Sequence, residues 1–336
     1  MDSSCFRRVA LSRLTTFFIL LFLAGQIAGI ALSAQTPRAT DKPFLWRIDG
    51  RVPSYLYGTV HVPDARVLEL PQVVQRAFDA ADVFNAEIPL DSTTQLEVMN
   101  KLMLPAGQDL RKIAGEEVFS RLMRVITKNL KGGLPAGMAD ILAGTLAPMK
   151  PWAAMSQLEL LEYLPDVMSG RQPLDAMLYG MAVKVGKEVG GLETVDEQVA
   201  VFDGFTMDEQ VRMLVSTLDE MEKPRIGGVS SSRELVDLYL GGELAPLVRK
   251  LNEESPDDPA LQKKMTKTIV DDRNLKMAER IAERCRKNPA RSYFFAVGAL
   301  HYAGDTGIVN QLSSKGFKVT RLTPRDAATI VRKPAA

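Results

Sequence analysis

The apolar positions of this chain follow three different rhythms. Residues 14–32, "LTTFFILLFLAGQIAGIAL", are apolar almost without a break. Toward both ends of the remaining chain, short dense apolar runs are bounded by Gly, Pro and Asp, the pattern of strands and turns. "FLWRIDG" and "SYLYGTVH", separated by "RVP", predict a hairpin. In "VLELPQVVQRAFDAA" the apolar Val74, Ala77, Phe78 and Ala81 recur at helical spacing, with Pro71 suited to the first turn. "DVFNAEIP" then reads as a short buried strand. The far end repeats this order: "SYFFAVGALH" is strand-like, "GDTGIVNQLSSKG" is a short helix stopped by Gly316, and "FKVTRL" is another strand. Both ends thus read strand, Gly-x-x-His, loop, helix, strand, which favours right-handed crossovers between parallel strands.

Between the two ends, roughly residues 91–290, apolar residues recur every three or four positions almost throughout. "GEEVFSRLMRVITKNLKGG" predicts a helix ended by Gly132-Gly133. "KPWAAMSQLELLEYL" opens with Pro151 at a helix start. "DDPALQKKMTKTIVDDRNLKMAERIAERCRKNP" is one long helix, or two broken near Asp271. Twelve of the fifteen methionines lie between positions 99 and 221. They read as filling for a helical core, with an adaptable apolar groove as the alternative. The expected fold class is α/β: a mixed sheet built from the N- and C-terminal βαβ-type units, with a large helical insertion between them. Residues 44–324 are expected to form one domain and 325–336 a tail.

The unbroken apolar run has a different meaning. Arg7, Arg8 and Arg13 precede it and "ALSAQ" follows, so residues 1–34 read as a secretory signal peptide cleaved after Ser33 or Ala34, with 35–43 as a short linker. An uncleaved membrane anchor is the alternative, since the run can just span a bilayer; Gly25, Gln26 and Gly29 weaken it. The flanks of Arg7-Arg8 fit a twin-arginine signal poorly. The expected location is therefore outside the cytoplasm, periplasmic or secreted. Charge is balanced, with 42 basic and 41 acidic residues, so there is no electrostatic footprint for nucleic acid. Without the leader, which holds three arginines and one aspartate, the net charge falls from +1 to −1. Cys5 lies in the leader and Cys285 is left alone, so the mature chain forms no internal disulfide and relies on its core.

His61 and His301 are the two histidines of the chain, and each follows a glycine by three residues at the end of a strand-like run. Glycine there permits a tight bend or close backbone approach. Ligand sites of α/β sheets gather at the carboxyl ends of strands. If the two strands are neighbours, the imidazoles converge across 240 residues of sequence. Imidazole serves there as a general base or as a ligand for a divalent metal. Glu87 ends "DVFNAEIP" and reaches the same sheet edge if its strand runs parallel to the first. Two histidines and one carboxylate form a metal set that leaves room for water or substrate, unless the carboxylate is instead the base. Asp271 or Asp272 is placed to cap a helix start, which puts Arg273 and Asn274 near its N-terminus. Arg273 there suits a carboxylate or a developing oxyanion. Glu193, after a Gly-rich turn in "GGLETVDEQ", is a supporting or substrate-binding candidate, as is Asn274. There is no Gly-x-Ser-x-Gly elbow, Walker A loop, His-Glu-x-x-His or Cys-x-x-Cys.

"SYLYGTVHVPD", the Glu87 strand, "KPWAAM", "GKEVGGLETVDEQ", "DDRN" and "VGALHYAGDTGIVNQLSSKGFKV", in this order, resemble the TraB/PrgY/GumN family, which includes the Tiki proteases; the resemblance covers about residues 43–324. It implies an α/β fold related to the erythromycin-esterase-like enzymes and the haem-binding ChaN-like proteins. It also implies a metal-dependent peptidase that uses both Gly-x-x-His motifs and an acid, here His61, His301 and Glu87, with Arg273 as a further candidate. The metal implied is a divalent ion such as Mn, Co or Zn. Two functions are therefore expected from different classes. One is an exported metal-dependent hydrolase of peptides or another small substrate. The other is a non-catalytic binding protein that sequesters a peptide or a haem-like ligand.

Overall fold

Strands β1 (Leu45–Ile48) and β2 (Ser54–Thr59) form the hairpin predicted around "RVP", pairing antiparallel from Leu45 opposite Tyr57 to Ile48 opposite Ser54. The computed structural model describes residues 40–129, 138–223, 230–253 and 255–331. The leader and Gly132-Gly133 lie outside the described residues.

Four further strands complete the sheet: β3 (Val83–Ala86), β4 (Glu188–Gly191), β5 (Tyr293–Gly298) and β6 (Val319–Arg321). Their order is β4-β3-β5-β2-β1-β6. β4, β3, β5 and β2 are mutually parallel; β1 pairs antiparallel with both β2 and the edge strand β6. The fold is thus mixed α/β. The crossover from β2 to β3 runs through the helix Gln72–Ala80, and that from β5 to β6 through Ile308–Ser314. β2 and β5 are buried at every position, as expected of central strands covered on both faces. Helix Gln72–Ala80 seals one face: the Phe78 ring meets Phe84 at 6.0 Å and Phe294 at 5.6 Å, both edge-on, a favoured aromatic geometry.

The helical insertion has its own apolar centre, including Phe119, Leu122, Met149, Trp152, Leu158, Leu214 and Leu218. Met149, Met213 and Met277 are buried as core filling. Met155, Met213, Met221 and Met265 line a cleft of about 1340 Å³ beside the sheet. No helix among the described residues is long and apolar enough to cross a membrane.

Two local readings are corrected. The segment before Glu193 is a strand, β4, rather than a Gly-rich turn within helices. It is short, half-exposed and ends in two glycines, so it carries no period-two apolar signal; pairing with β3 creates it. The second concerns Asp271 and Asp272. The helix begins at Pro259, where Asp258 accepts hydrogen bonds from the amides of Ala260 and Leu261. It continues through a π-helical stretch, Thr266–Asp271, into Asp272–Lys287. Asp271 itself is helical, with φ −65° and ψ −49°, and caps nothing. Arg273 and Asn274 therefore sit inside one long helix, just past its π-helical stretch, a local widening often found at functional sites.

Candidate active site at the carboxyl edge of the sheet

Each of the four parallel strands delivers one polar residue just past its carboxyl end. In sheet order these are Glu193 after β4, Glu87 after β3, His301 after β5 and His61 after β2. Parallel pairing aligns them. The Ala86–Gly191 pairing extends outward through hydrogen bonds from the amides of Leu192 and Glu193 to the carbonyls of Ala86 and Glu87, at 2.9 and 2.7 Å. Glu193 thereby comes to lie beside Glu87.

The two Gly-x-x-His motifs are neighbours but are out of register by one residue. Gly58 pairs with Val297, and Gly298 pairs with Thr59. Because side-chain direction alternates along a strand, the two glycines face opposite sides of the sheet and answer different needs. A Cβ on Gly58 would stand 2.7 Å from Phe44 Cβ and 3.2 Å from Ala299 Cα, so that glycine admits close packing on the core side. A Cβ on Gly298 would stand 3.2 Å from Glu87 Oε1, 3.5 Å from His61 Nε2 and 3.6 Å from His301 Cδ2. Gly298 thus keeps open the space that all three side chains face. Neither glycine has a positive φ.

His61 Nε2 lies 3.8 Å and His301 Nε2 3.9 Å from the same atom, Glu87 Oε1. That oxygen also accepts the Gly298 N–H at 2.8 Å. Glu87 Oε2 accepts from Arg273 Nη2 at 2.5 Å and from Gln198 Nε2 at 3.1 Å. Arg273 in turn holds Glu193 through Nε and Nη2, at 3.0 and 2.6 Å. His301 and Asn274 meet behind the site, with Nδ1 and Oδ1 2.7 Å apart. An amide oxygen there accepts the Nδ1–H, which leaves the Nε2 lone pair facing Glu87. Asn274 is fully buried and Glu193 nearly so; neither opens onto the cleft wall as a substrate contact would. His61 Nδ1 lies 3.2 Å from Asp175 Oδ1.

The electrostatics differ for the two rings. Asp175, with help from Glu87, raises the pKa of the largely exposed His61 to about 9. Burial lowers that of His301 to about 4, only partly opposed by Glu87. Burial works against the ionised form of Glu87, but the positive neighbours and the Gly298 N–H outweigh it, and the carboxyl stays well below the usual range. At neutral pH the edge therefore carries a charged His61, a neutral His301 and an ionised Glu87.

Asp175 and Gln198 were not singled out from the sequence. Asp175 reads there as an ordinary acid in a helix first turn, favoured by the dipole. Gln198 lies in "ETVDEQ", whose evident signal is the capping box formed by Thr194 and Glu197.

With this geometry in place, the comparison with known families is decisive at one level. The TraB/PrgY/gumN family model matches residues 44–321. The chain belongs to that family. Among curated relatives of this TraB/PrgY/gumN member, "Metalloprotease TIKI2" of Danio rerio is 28% identical, over 90% of this chain and 66% of its own length. "Metalloprotease TIKI1" of Danio rerio is 25% identical, over 84% of the chain and 64% of its own. "Metalloprotease TIKI1" of Homo sapiens is 26% identical, over 82% and 61%. The chain thus spans less than two thirds of these relatives' length. No solved structure matches it.

These relatives are named metalloproteases, which implies a divalent metal, so the donors can be tested for it. Among the described residues no three His, Cys, Asp or Glu side chains already stand as a metal-holding group. The separations of 3.8 and 3.9 Å exceed, by about 0.4–0.9 Å, the roughly 3.0–3.4 Å between neighbouring donors on an ion with ~2.1 Å bonds. The donor chemistry fits: two imidazoles and an ionised carboxylate converge over a glycine that keeps their common space clear. The buried Thr59 hydroxyl, on the Gly298 face and without a hydrogen-bond partner among the described residues, lines the same cleft. To hold an ion there, His61 would have to give up its Nε2 proton. Gly298→Ala is accordingly expected to weaken metal uptake by at least about tenfold while the fold stays intact; equilibrium dialysis beside a thermal melt measures both.

Proposed function

We propose that this chain is an exported metal-dependent hydrolase, most plainly a peptidase, whose metal is held by His61 Nε2, His301 Nε2 and Glu87 Oε1. The observation that carries this reading is the convergence of the three donors, from neighbouring parallel strands, on the open space above Gly298. The family and the metalloprotease relatives support it. The erythromycin-esterase/ChaN-like arrangement is assigned on the sequence resemblance, and export on the N-terminal leader.

A divalent ion held there supplies Lewis acidity, which activates water and polarises a scissile carbonyl. The chain's own groups do the rest. Arg273 and Gln198 occupy Glu87 Oε2 and so leave Oε1 turned toward the histidines. Asn274 holds the His301 tautomer that presents Nε2. The cleft that opens from the site is walled largely by apolar side chains, among them Trp152, Met155, Leu158, Phe202, Met213 and Ile269, suited to side chains of an extended peptide.

Metal content of the purified chain, measured with a peptide-library cleavage screen, tests the reading. The expected result is about one divalent ion per chain, and turnover that stops with chelator and returns when Mn, Co or Zn is restored. A tight complex with uncleaved peptide that forms equally well in chelator would overturn it in favour of a binding protein.

A further inference from the structure

We propose that Asp175 is a positioning residue: it holds the His61 ring through Nδ1 and keeps Nε2 turned to Glu87 and the space above Gly298. The proposal rests on the metal-site reading above but concerns a residue outside the donor set. The two histidines are held very differently. The His301 side chain is only 7% exposed, gripped by packing and by Asn274. The His61 side chain is 57% exposed and sits in the loop beyond β2, so packing does not fix its ring. Its two carboxylate neighbours are Glu87 Oε1, at 3.8 Å, and Asp175 Oδ1, at 3.2 Å. Of these, only Asp175 is close enough to orient the ring.

Nothing in its own helix explains where the Asp175 carboxylate points. It lies in the first turn of Leu174–Lys184, whose N-cap is Pro173, and no side chain caps that helix. Its Oδ1 is buried and finds no hydrogen-bond partner among the described residues, despite lying at ion-pair distance from the imidazole. A buried carboxylate oxygen left alone is costly; His61 Nδ1 is the group placed to relieve it. A carboxylate on the far nitrogen is the recurrent means of orienting a metal-facing imidazole. Asn274 does this for His301 with a neutral amide. Asp175 does it for His61 with a charge, which suits the ring that packing leaves loose.

The chain has two histidines, so their imidazole NMR signals can be assigned with one variant, and His301 serves as the internal control. In metal-free protein, both rings are expected to be ordered in the wild type. Asp175→Ala should release the His61 ring into rotamer averaging and leave His301 unchanged. Asp175→Asn, which keeps an oxygen facing Nδ1, should restore much of the order. Titration with Co²⁺ or Zn²⁺ should show affinity weakened about 10- to 100-fold in Asp175→Ala, with an unchanged melting temperature. A His61 ring equally ordered in the wild type and both variants would overturn the proposal, as would wild-type metal affinity in Asp175→Ala. If the wild type takes up no metal, the metal-site reading fails, while the ring-order measurement still decides the role of Asp175.

Discussion

Replacing His61 or His301 with alanine is expected to lower peptide turnover by about three orders of magnitude or more, and the double variant should be little worse than either single one. The near-equality follows from geometry. Both Nε2 atoms lie near one carboxylate oxygen, at 3.8 and 3.9 Å, so removing either dismantles the same unit. Stability should separate the two variants. His61 is largely exposed, so its loss opens no cavity and its cost is confined to the buried Asp175 Oδ1 left without the imidazole beside it. His301 is 6% exposed, and its removal opens a hole and strands Asn274 Oδ1, at a cost of about 1–3 kcal/mol. Melting curves must therefore accompany the rates. Glu87→Gln divides the roles of the acid: loss of metal marks a ligand, whereas retained metal without turnover marks a base. Full turnover in both histidine variants would remove the shared site altogether.

The largest effect on stability is expected at Arg273. Its Nη2 donates to both Glu87 Oε2 and Glu193 Oε2, at 2.5 and 2.6 Å, and the two carboxylate side chains are 11% and 2% exposed. Arg273→Met would leave two buried acids facing each other without their common cation. Breaking a buried ion pair from one side costs about 3–5 kcal/mol, or roughly 10 °C of melting temperature in a domain of this size. Arg273→Lys should recover little of this, since one ammonium cannot serve both carboxylates as a planar fork does. Adding Glu193→Gln to Arg273→Met should recover part of the loss, because the two sites are in contact.

The pH dependence has a definite sign. The folded pKa of Glu87 lies below its ordinary value, so its ionised form contributes stability in full above about pH 4–5 and loses it as the pH falls further. The gap between wild type and Arg273→Met should narrow with acidification. Denaturation midpoints from pH 3 to 7 check this, and a gap that stays constant would show that the arginine acts through packing alone.

The chain shows unevenly what can be read before folding. The hairpin, the helix after His61, strands β3 and β5 and the helix stopped at Gly316 each carry a local signal: dense apolar runs between turn residues, or spacing of three and four. β4 had none, because an edge strand with two glycines and an exposed face gains its conformation from its partner. The Thr266–Asp271 π-helical stretch was likewise hidden. Its sequence supports an ordinary helix or a break near Asp271, and only packing against the sheet edge selects a continuous helix with Arg273 turned inward.

The sequence by itself determined the strand-ending glycines, the two histidines, the acid after a buried strand and the fold class they imply, since each depends on residues within a few positions of one another. Tertiary structure alone decided that β2 and β5 are neighbours with β3 beside them, so that His61, His301 and Glu87 meet over Gly298. It also decided that the two Gly-x-x-His motifs, alike in sequence, pair one residue out of step, so that one glycine admits packing and the other clears the site. The same holds for the supporting groups. Asp175 reaches His61 across 114 positions, and Arg273 joins Glu87 and Glu193 across separations of 186 and 80. Such contacts form because parallel strands pair without regard to their distance along the chain, and no local periodicity records which strand ends will stand side by side.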